Sequence, residues 1–170
     1  MIIELRPIGF IITRYSDDQI RSSWEGVEGY IEIFEQYVAG LRGIEDFSHI
    51  IVIAYLHKVT EHQRKTLIVK PRRAVRLGFS LEDLPEIGVF ASDSPHRPNP
   101  IALSILELIK VDRNILYVKN LDLFDGTPVL DIKPYTPSRR IDNVRIPSWV
   151  KLIEERIRDY KQINSATHNK

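Results

Sequence analysis

The sequence contains no cysteine among its 170 residues. The chain therefore cannot form disulfides, thiolate nucleophiles, zinc ribbons or iron–sulfur clusters. Its five histidines form no H-x-x-x-H or H-E-x-x-H pattern, so we predict no metal site. These absences argue against a disulfide-stabilised secreted scaffold and exclude metal centres that depend on cysteine.

Long apolar runs are missing as well. No window approaches about 18 uninterrupted apolar residues, and Glu4 interrupts the apolar N-terminus, so we predict neither a membrane span nor a signal peptide. The 24 lysines and arginines balance 23 aspartates and glutamates, so net charge alone does not indicate a nucleic-acid partner. We expect a cytoplasmic globular protein.

The common nucleotide-binding motifs are also absent. Neither G-x-G-x-x-G nor G-x-x-x-x-G-K-[ST] occurs in the sequence. These glycine patterns let a backbone approach the phosphates of dinucleotides and nucleoside triphosphates. A Rossmann-type or P-loop site is therefore excluded.

Strand-like patterns dominate the chain. Residues 5–14 and 29–37 alternate between apolar and polar side chains, and a run of β-branched and aromatic residues begins at Phe47. Further short apolar segments follow at 64–71, 86–92 and between residues 101 and 135, bounded by Pro, Gly, Asn or Asp. So many short strands favour a closed barrel or a sandwich over an α/β sheet.

Two segments favour helix. Residues 32–47 contain a short apolar repeat that stops at Gly40 or Gly43. After Pro147, helical spacing relates four apolar side chains: Trp149, Ile153, Ile157 and Tyr160. We predict a C-terminal helix over 147–163 and a flexible tail over 164–170.

The stretch SDSPHRPNPIALS, from Ser92 to Ser104, holds three prolines that stiffen the backbone. Between them, the guanidinium of Arg97 suits a carboxylate or phosphate, and the amide of Asn99 matches the edge of an adenine ring. The stretch therefore indicates a site for an adenine and an anion. The alternative is a surface loop in which both side chains satisfy nearby backbone groups.

A second polar stretch, NLDLFDGTPVLDIKPYTP, runs from Asn120 to Pro137. Asp122 and Asp125 precede a predicted turn at Gly126. Three polar side chains then alternate along one face of the following strand: Asp131, Lys133 and Tyr135. Such groups either form a site or face solvent, because burial without partners is costly.

These two stretches resemble motifs of a known family. GVFASDSPHRPNPIALSILEL, from Gly88 to Leu108, is similar to the family pattern GVFATRSPxRPNPIGLSxVEL, and residues 121–137 match LDLxDGTPVxDIKPYxP. The family is the TsaA-like (YaeB) group, which includes TrmO-type methyltransferases. The resemblance implies a mainly β fold, with a single closed β-barrel domain over 1–146 that carries a short helical segment and the C-terminal helix.

The resemblance implies a function too. Family members transfer a methyl group from S-adenosyl-L-methionine to N6 of the threonylcarbamoyl-modified adenosine at tRNA position 37, beside the anticodon, and are commonly homodimers. The expected partners are thus a tRNA anticodon stem-loop and a second copy of the chain, with no membrane and no metal. A nonenzymatic module that binds an adenosyl ligand or RNA remains the alternative.

Mapped position by position, the resemblance places the donor contacts on ten residues: Ser22, Ser23, Trp24, His57, Lys58, Leu103, Asp122, Leu123, Phe124 and Asp125. Asp93 stands where many members have arginine, so the donor-carboxylate or phosphate contact expected there is either absent or supplied by Arg97. An acceptor should stabilise the charge that develops on N6, and Asn99, Asp125 and Asp131 are the candidates.

Two basic clusters stand out in the near-neutral chain, at Lys70–Arg76 and Ser138–Arg145. Such clusters can bind the phosphates of a stem-loop, although solvated surface charge is the alternative. The candidate RNA contacts are Arg72, Arg73, Arg76, Lys133, Tyr135, Arg139 and Arg140.

Overall fold

Alternating apolar and polar residues build the six strands of a closed barrel. The structure is a computed structural model that describes residues 2–167, with side chains described for residues 2–163. The barrel strands are β1 (Gly9–Ile12), β2 (Val27–Ile33), β3 (His49–Tyr55), β6 (Ile101–Asp112), β7 (Ile115–Leu121) and β8 (Pro128–Pro134). Their order around the barrel is β1-β2-β7-β6-β3-β8, and each neighbouring pair is antiparallel.

The barrel interior is filled by aliphatic side chains from alternate strand positions. Ile11, Ile31, Ile50, Leu106 and Leu116 are fully buried. The β3 sequence reads as a continuous apolar run because its outward side chains are partly covered as well. Bulges interrupt the β2–β7, β3–β8 and β6–β7 pairs, as expected where a sheet must curve into a small barrel.

Short helices connect the barrel strands. Helix α1 (Asp17–Ser22) lies between β1 and β2, and two 3-10 helices (Glu35–Leu41 and Ile44–Asp46) lie between β2 and β3. A third 3-10 helix, Pro137–Arg139, follows β8. The barrel unit comprises Met1–Thr60 and Asn99–Arg140.

A second compact unit comprises Glu61–Pro98 and Ile141–Lys170. It contains α2 (Glu61–Arg64), the two-residue strands β4 (Ile68–Val69) and β5 (Ile87–Gly88), 3-10 helices at Arg72–Leu77 and Val89–Ala91, and α3 (Ser148–Thr167). Strands β4 and β5 form an antiparallel ribbon of their own. Helix α3 packs against the Arg72–Leu77 segment.

The mainly β fold and the closed barrel confirm the sequence-based prediction, with three differences in detail. Residues 61–98 and 141–146 belong to the second unit, so the barrel does not include the whole of 1–146. The helix expected within 32–47 forms two 3-10 helices. Helix α3 continues to Thr167, four residues beyond the expected end; of the predicted tail, residues 168–170 lie outside the described residues.

Candidate functional site

Several connecting segments meet at one end of the barrel. Because neighbouring strands are antiparallel, the ends of β1, β3 and β7 lie beside the starts of β2, β6 and β8. This end carries α1, the residues that follow β3, and the loop between β7 and β8. These segments contain nearly all of the donor contacts expected from the sequence.

The β7–β8 loop is fixed by its own carboxylates. Oδ1 of Asp122 accepts a 2.6 Å hydrogen bond from the hydroxyl of Ser104, which is buried inside β6. Oδ1 of Asp125 accepts from the backbone N–H of Thr13 at 2.9 Å. Leu123, between the two aspartates, is buried in the core. The loop therefore anchors Leu123 inside the barrel and leaves both carboxylates at its surface.

A tight turn then leads into β8. Gly126 has a φ of 71°, which favours glycine, and its N–H donates to the Ile11 carbonyl at 2.8 Å. The N–H of Thr127 donates to the Phe124 carbonyl at 3.2 Å. The turn predicted at Gly126 is present, and it holds the loop against β1.

The ring of Phe124 is flanked by two cations. The guanidinium carbon of Arg21 lies 4.8 Å from the ring centroid, and Nζ of Lys58 lies 5.1 Å from it. Each cation also pairs with a carboxylate of α1: Nζ of Lys58 is 2.7 Å from Asp17, and Nη1 of Arg21 is 3.1 Å from Asp18. An aromatic face with cations and acids around it is thus assembled from three separate segments.

The surroundings of His57 favour its neutral form. Partial burial lowers the pKa of His57, and the adjacent charge of Lys58 lowers it further, whereas Asp17 and Asp125 act in the opposite direction. A neutral imidazole can both donate and accept a hydrogen bond, so the neutral form of His57 offers polar contacts without a third positive charge.

Helix α1 begins at a capping box. Ser16 Oγ accepts from the N–H of Gln19 at 3.3 Å, and the Gln19 side chain accepts from the N–H of Ser16 at 2.8 Å. Ile20 is buried beneath the helix, and Ser22 Oγ donates to the Asp18 carbonyl at 2.7 Å. The capping box orients α1 so that Asp17, Asp18 and Arg21 reach the Phe124 region.

The segment after α1 lies close against the end of β7. Ser23 Oγ donates to the Gly26 carbonyl at 2.6 Å, and Trp24 is half-buried. A Cβ atom at Gly26 would lie 2.3 Å from the carbonyl carbon of Asn120, and Gly26 has a φ of 75°. Only glycine therefore allows the backbone at residue 26 to approach Asn120, at the end of β7, this closely.

Comparison with known proteins places this barrel in a family. The family described as tRNA-methyltransferase O N-terminal domain matches residues 19–142. The chain belongs to this family. It is 38% identical over 156 residues to a probable S-adenosyl-L-methionine-binding protein of Pyrococcus abyssi, covering 89% of this chain and 78% of that protein. It is 39% identical over 103 residues to the tRNA (adenine(37)-N6)-methyltransferase of Mus musculus, covering 61% of this chain and 22% of that protein.

Solved TrmO structures share the architecture. The crystal structure of TrmO from Pseudomonas aeruginosa matches with a TM-score of 0.63 and 25% sequence identity, over 88% of this chain and 62% of that chain. Another TrmO crystal structure matches with a TM-score of 0.66 and 28% identity, over 88% of this chain and 64% of that chain. The chain thus spans less than two thirds of the solved TrmO chains.

In this TrmO-family chain, two predicted residues lie beside the start of β6. Leu103 points outward from β6, with 66% of its surface exposed, and pairs with Ile53 of β3. Asn99 is exposed and precedes Pro100, whose carbonyl accepts from the N–H of Leu56 at 2.7 Å. The pairing of β3 with β6 fixes the positions of both residues. Leu103 lies on the outer wall of the barrel.

Asp131 also lies on the outer wall, on β8 opposite Ile53. One carboxylate oxygen of Asp131 is 2.7 Å from Nζ of Lys133, and the other accepts from the N–H of Ile132 at 2.9 Å. Asp131 and Lys133 share one strand face, as the alternation predicted, and Tyr135 follows the end of β8. Asp131 is therefore already engaged by a neighbouring cation.

Arg97 belongs to the second unit. Its Nη2 donates to the carbonyls of Val89 and Ser92, both at 2.8 Å, and its buried Nε has no hydrogen-bond partner among the described residues. The neighbouring Pro98 carbonyl accepts from Nε of Arg64 at 3.0 Å. These contacts match the alternative in which Arg97 satisfies nearby backbone groups.

The candidate RNA contacts are exposed in both units. In the second unit, the Arg72–Leu77 segment carries Arg72, Arg73 and Arg76 on its surface. In the barrel unit, Arg139 and Arg140 are exposed at the 3-10 helix that follows β8. The two clusters are thus present as surface charge, each on a short helix.

Three residues at the barrel end were not among the sequence-based candidates: Asp17, Arg21 and Ser104. The S-x-x-Q pattern of Ser16 to Gln19 is a signal that could have identified the helix start and hence Asp17. Alternation along β6 could likewise have placed Ser104 on the inward face. Within the part of the chain that the structure describes, no group of three His, Cys, Asp or Glu side chains could hold a metal ion, and no helix is long and apolar enough to cross a membrane.

Proposed function

We propose that the protein is an S-adenosyl-L-methionine-dependent tRNA methyltransferase that modifies N6 of the threonylcarbamoyl adenosine at position 37. The observation that carries this proposal is the convergence of α1, His57–Lys58 and the Asp122–Asp125 loop at one barrel end, in a chain of the TrmO N-terminal domain family. A tRNA substrate also implies the cytoplasmic location expected from composition.

The residues at this barrel end suit the methyl donor chemically. The ring of Phe124 offers a stacking face, Asp122 and Asp125 offer acceptors for hydroxyls or cationic groups, and Lys58 offers a cation for a carboxylate. When bound, the donor supplies a methyl group on a positively charged sulfur. Its positive charge favours a site where acidic side chains accompany the cations.

For methyl transfer, the main task of the protein is alignment. Positioning of two reactants can lower a barrier by about 7–11 kcal/mol, so no covalent enzyme intermediate is needed. Asp125 is the best placed of the three acceptor candidates, because it lies in the loop beside Phe124 and its second oxygen remains for a substrate N6 proton. Asp131 would first have to leave Lys133, and Asn99 cannot take up a proton.

For tRNA binding, we propose contacts with phosphates at the exposed arginines of both units, supported by Lys133 and Tyr135. Arginine binds phosphate bidentately, and Tyr135 offers a ring for base stacking. The exposure of Arg72, Arg76 and Arg139 supports this part of the proposal.

We also propose that the protein acts as a homodimer. The outer face of β6 carries a row of exposed aliphatic residues: Ile101, Leu103, Ile105 and Ile109. Several exposed aliphatic side chains on one strand face indicate a protein–protein contact. If a partner chain covers this face, Leu103 would be able to contribute to a donor site that two subunits share.

A nonenzymatic S-adenosyl-L-methionine-binding module is the second candidate. The names of several archaeal relatives favour it, because they describe binding and no reaction. The same barrel end would hold the ligand in either case, so only a reaction assay separates the two functions.

The test uses purified protein, donor labelled on the methyl group, and tRNA prepared with and without the threonylcarbamoyl group. We expect label in N6-methylated threonylcarbamoyl adenosine, identified by mass spectrometry of nucleosides. Label in unmodified adenosine would support a tRNA methyltransferase but contradict the proposed modification requirement. Donor binding without any transfer would favour the binding module.

A further inference from the structure

Lys58 is held by a carboxylate of its own chain. Its Nζ lies 2.7 Å and 2.8 Å from the two oxygens of Asp17, 41 positions away in the sequence. The Asp17 side chain is 31% exposed and the Lys58 side chain 46% exposed, so the pair lies at the surface of the barrel end. One carboxylate thus presents both of its oxygens to a single ammonium group.

The same ammonium group lies beside the ring of Phe124. Nζ of Lys58 is 5.1 Å from the centroid of Phe124, in the loop that carries Asp122 and Asp125. Asp17 is not required to start α1, because Ser16 caps the helix. The Asp17 carboxylate therefore contacts Lys58 and is not needed for the capping of α1.

We propose that Asp17 is a specificity-determining residue that holds the position at Lys58 where the carboxylate of an adenosyl amino acid binds. This inference rests on the proposed function, since it assumes that the adenosyl ligand binds beside Phe124. Ligand binding then exchanges one carboxylate for another at Nζ of Lys58. Asp17 moves away from the ammonium as the ligand arrives.

Such an exchange makes affinity depend on the rest of the ligand. Because Asp17 already neutralises Lys58, a simple anion gains little by binding there. A ligand that also offers an aromatic base and hydroxyl groups makes contacts that Asp17 cannot replace. A half-exposed ion pair of this kind changes an equilibrium constant by about two- to fivefold, which sets the size of the expected effect.

The experiment measures dissociation constants by titration calorimetry for the wild type and Asp17→Asn. S-adenosylhomocysteine is compared with its decarboxylated counterpart, S-adenosyl-3-thiopropylamine; neither carries the sulfonium charge, and they differ only in the carboxylate. We expect Asp17→Asn to bind S-adenosylhomocysteine about two- to fivefold more tightly than the wild type does. The decarboxylated ligand should not gain affinity.

Two further variants identify the cause. In a Lys58→Met background, Asp17→Asn should no longer tighten S-adenosylhomocysteine binding, because the ammonium that both carboxylates share is gone. Asp46→Asn is the matched control, because it removes the same charge from an exposed position. Asp46 precedes β3 and Lys58 follows it, so the two residues lie at opposite ends of the strand. This control variant should leave both affinities unchanged.

The outcomes distinguish this inference from the proposed function. If the wild type binds neither S-adenosylhomocysteine nor S-adenosylmethionine, the proposed function and the inference both fail. If the wild type binds them but Asp17→Asn weakens S-adenosylhomocysteine, or tightens both ligands equally, only the role of Asp17 is overturned. Tightening confined to the carboxylate-bearing ligand, and dependent on Lys58, supports the inference.

Discussion

The protonation of His57 reports on the charges around it. Burial is the largest cause that lowers the pKa of His57, Lys58 lowers it further, and Asp17 and Asp125 raise it. An NMR titration should therefore find the pKa of His57 below the ordinary histidine value. Lys58→Met should raise that pKa only in part, since burial remains, and Asp17→Asn should lower it further.

The sign of the stability effect follows from this shift. Because the pKa is lower in the folded state than in the unfolded state, the unfolded chain binds more protons between the two values. The contribution of His57 to the free energy of unfolding is therefore fully present above its unfolded-state pKa. It is lost as the pH falls through its folded-state pKa. A rise in the pKa of His57 on Asp17→Asn would contradict the described arrangement of charges.

Gly26 allows a second prediction, with matched controls in the same chain. Gly26→Ala combines a positive φ with a Cβ only 2.3 Å from the Asn120 carbonyl carbon, so the backbone at residue 26 or at Asn120 must move. Gly43 also has a positive φ, of 84°, but open space around it, and Gly40 has open space without a positive φ. The three glycines separate backbone strain from steric overlap.

Denaturant unfolding should rank the three alanine variants. We expect Gly40→Ala within about 0.5 kcal/mol of wild type, Gly43→Ala about 1–2 kcal/mol less stable, and Gly26→Ala less stable than Gly43→Ala. Gly26→Ala should also weaken S-adenosylhomocysteine binding, whereas the other two should not. Equal stability of the Gly26 and Gly43 variants would show that the close approach to Asn120 is unimportant.

At the residue scale, the sequence identified individual site residues better than it identified the residues that they contact. Asp122 and Asp125 stood out because two acids precede a glycine turn, and both lie in the candidate site. The contact of Lys58 with Asp17 and the placement of Arg21 over Phe124 depend on barrel closure. No local pattern encodes contacts between segments so far apart.

At the scale of elements, period-two alternation indicated β1 and β2, because a barrel wall has one buried face and one exposed face. Short apolar runs bounded by turn residues indicated β3, β6, β7 and β8. Helix α1 was missed, since six residues with one buried side chain, Ile20, give no helical periodicity. The segments at 64–71 and 86–92 were apolar enough to suggest strands, yet each contributes two residues to a separate ribbon. Apolar content alone therefore did not distinguish barrel strands from the second unit.

The two basic segments carry a prediction of their own. We expect Arg72→Glu/Arg73→Glu and Arg139→Glu/Arg140→Glu each to weaken tRNA binding and to flatten its dependence on salt, because each lost phosphate contact lowers the slope by about one unit. Fluorescence anisotropy with labelled tRNA across a salt series measures both quantities. Affinity for S-adenosylhomocysteine should stay unchanged in both variants.

Arg42→Glu/Arg113→Glu provides the matched control for this experiment. Both arginines are exposed, and the double variant changes net charge by the same amount. Its salt slope should equal that of the wild type. If all three double variants lose slope alike, the effect reflects overall charge and the two basic segments are ordinary solvated surface.

For the whole molecule, the two long motifs were sufficient to indicate the family and the barrel, because their residues form most of β6, the loop between β7 and β8, and β8 itself. They did not indicate how the chain divides. The proline stretch crosses the boundary between the two units at Pro98 and Asn99, so Arg97 and Asn99 belong to different units. Their closeness in the sequence had suggested that Arg97 and Asn99 contact the same ligand. In the structure, Arg97 donates to backbone carbonyls of its own unit.

The proposed homodimer is tested at this largest scale. Ile105 lies in the middle of the exposed aliphatic row on β6, and Leu152 is an exposed apolar residue of α3. Light scattering at micromolar concentration should give a dimer mass for the wild type and a monomer mass for Ile105→Glu, because a buried, unpaired carboxylate is costly in an apolar contact. Leu152→Glu should remain dimeric if the barrel face forms the interface.

Activity of the separated subunits then decides whether the site is shared. A site that needs Leu103 from a partner should lose methyl transfer in the Ile105→Glu monomer, although circular dichroism shows an intact fold. A folded monomer with wild-type activity would place a complete site in each chain. Loss of the dimer in Leu152→Glu, with Ile105→Glu still dimeric, would instead assign the interface to α3. Leu152 is an exposed apolar residue of this helix, whereas Trp149, Ile153 and Ile157 are half-buried.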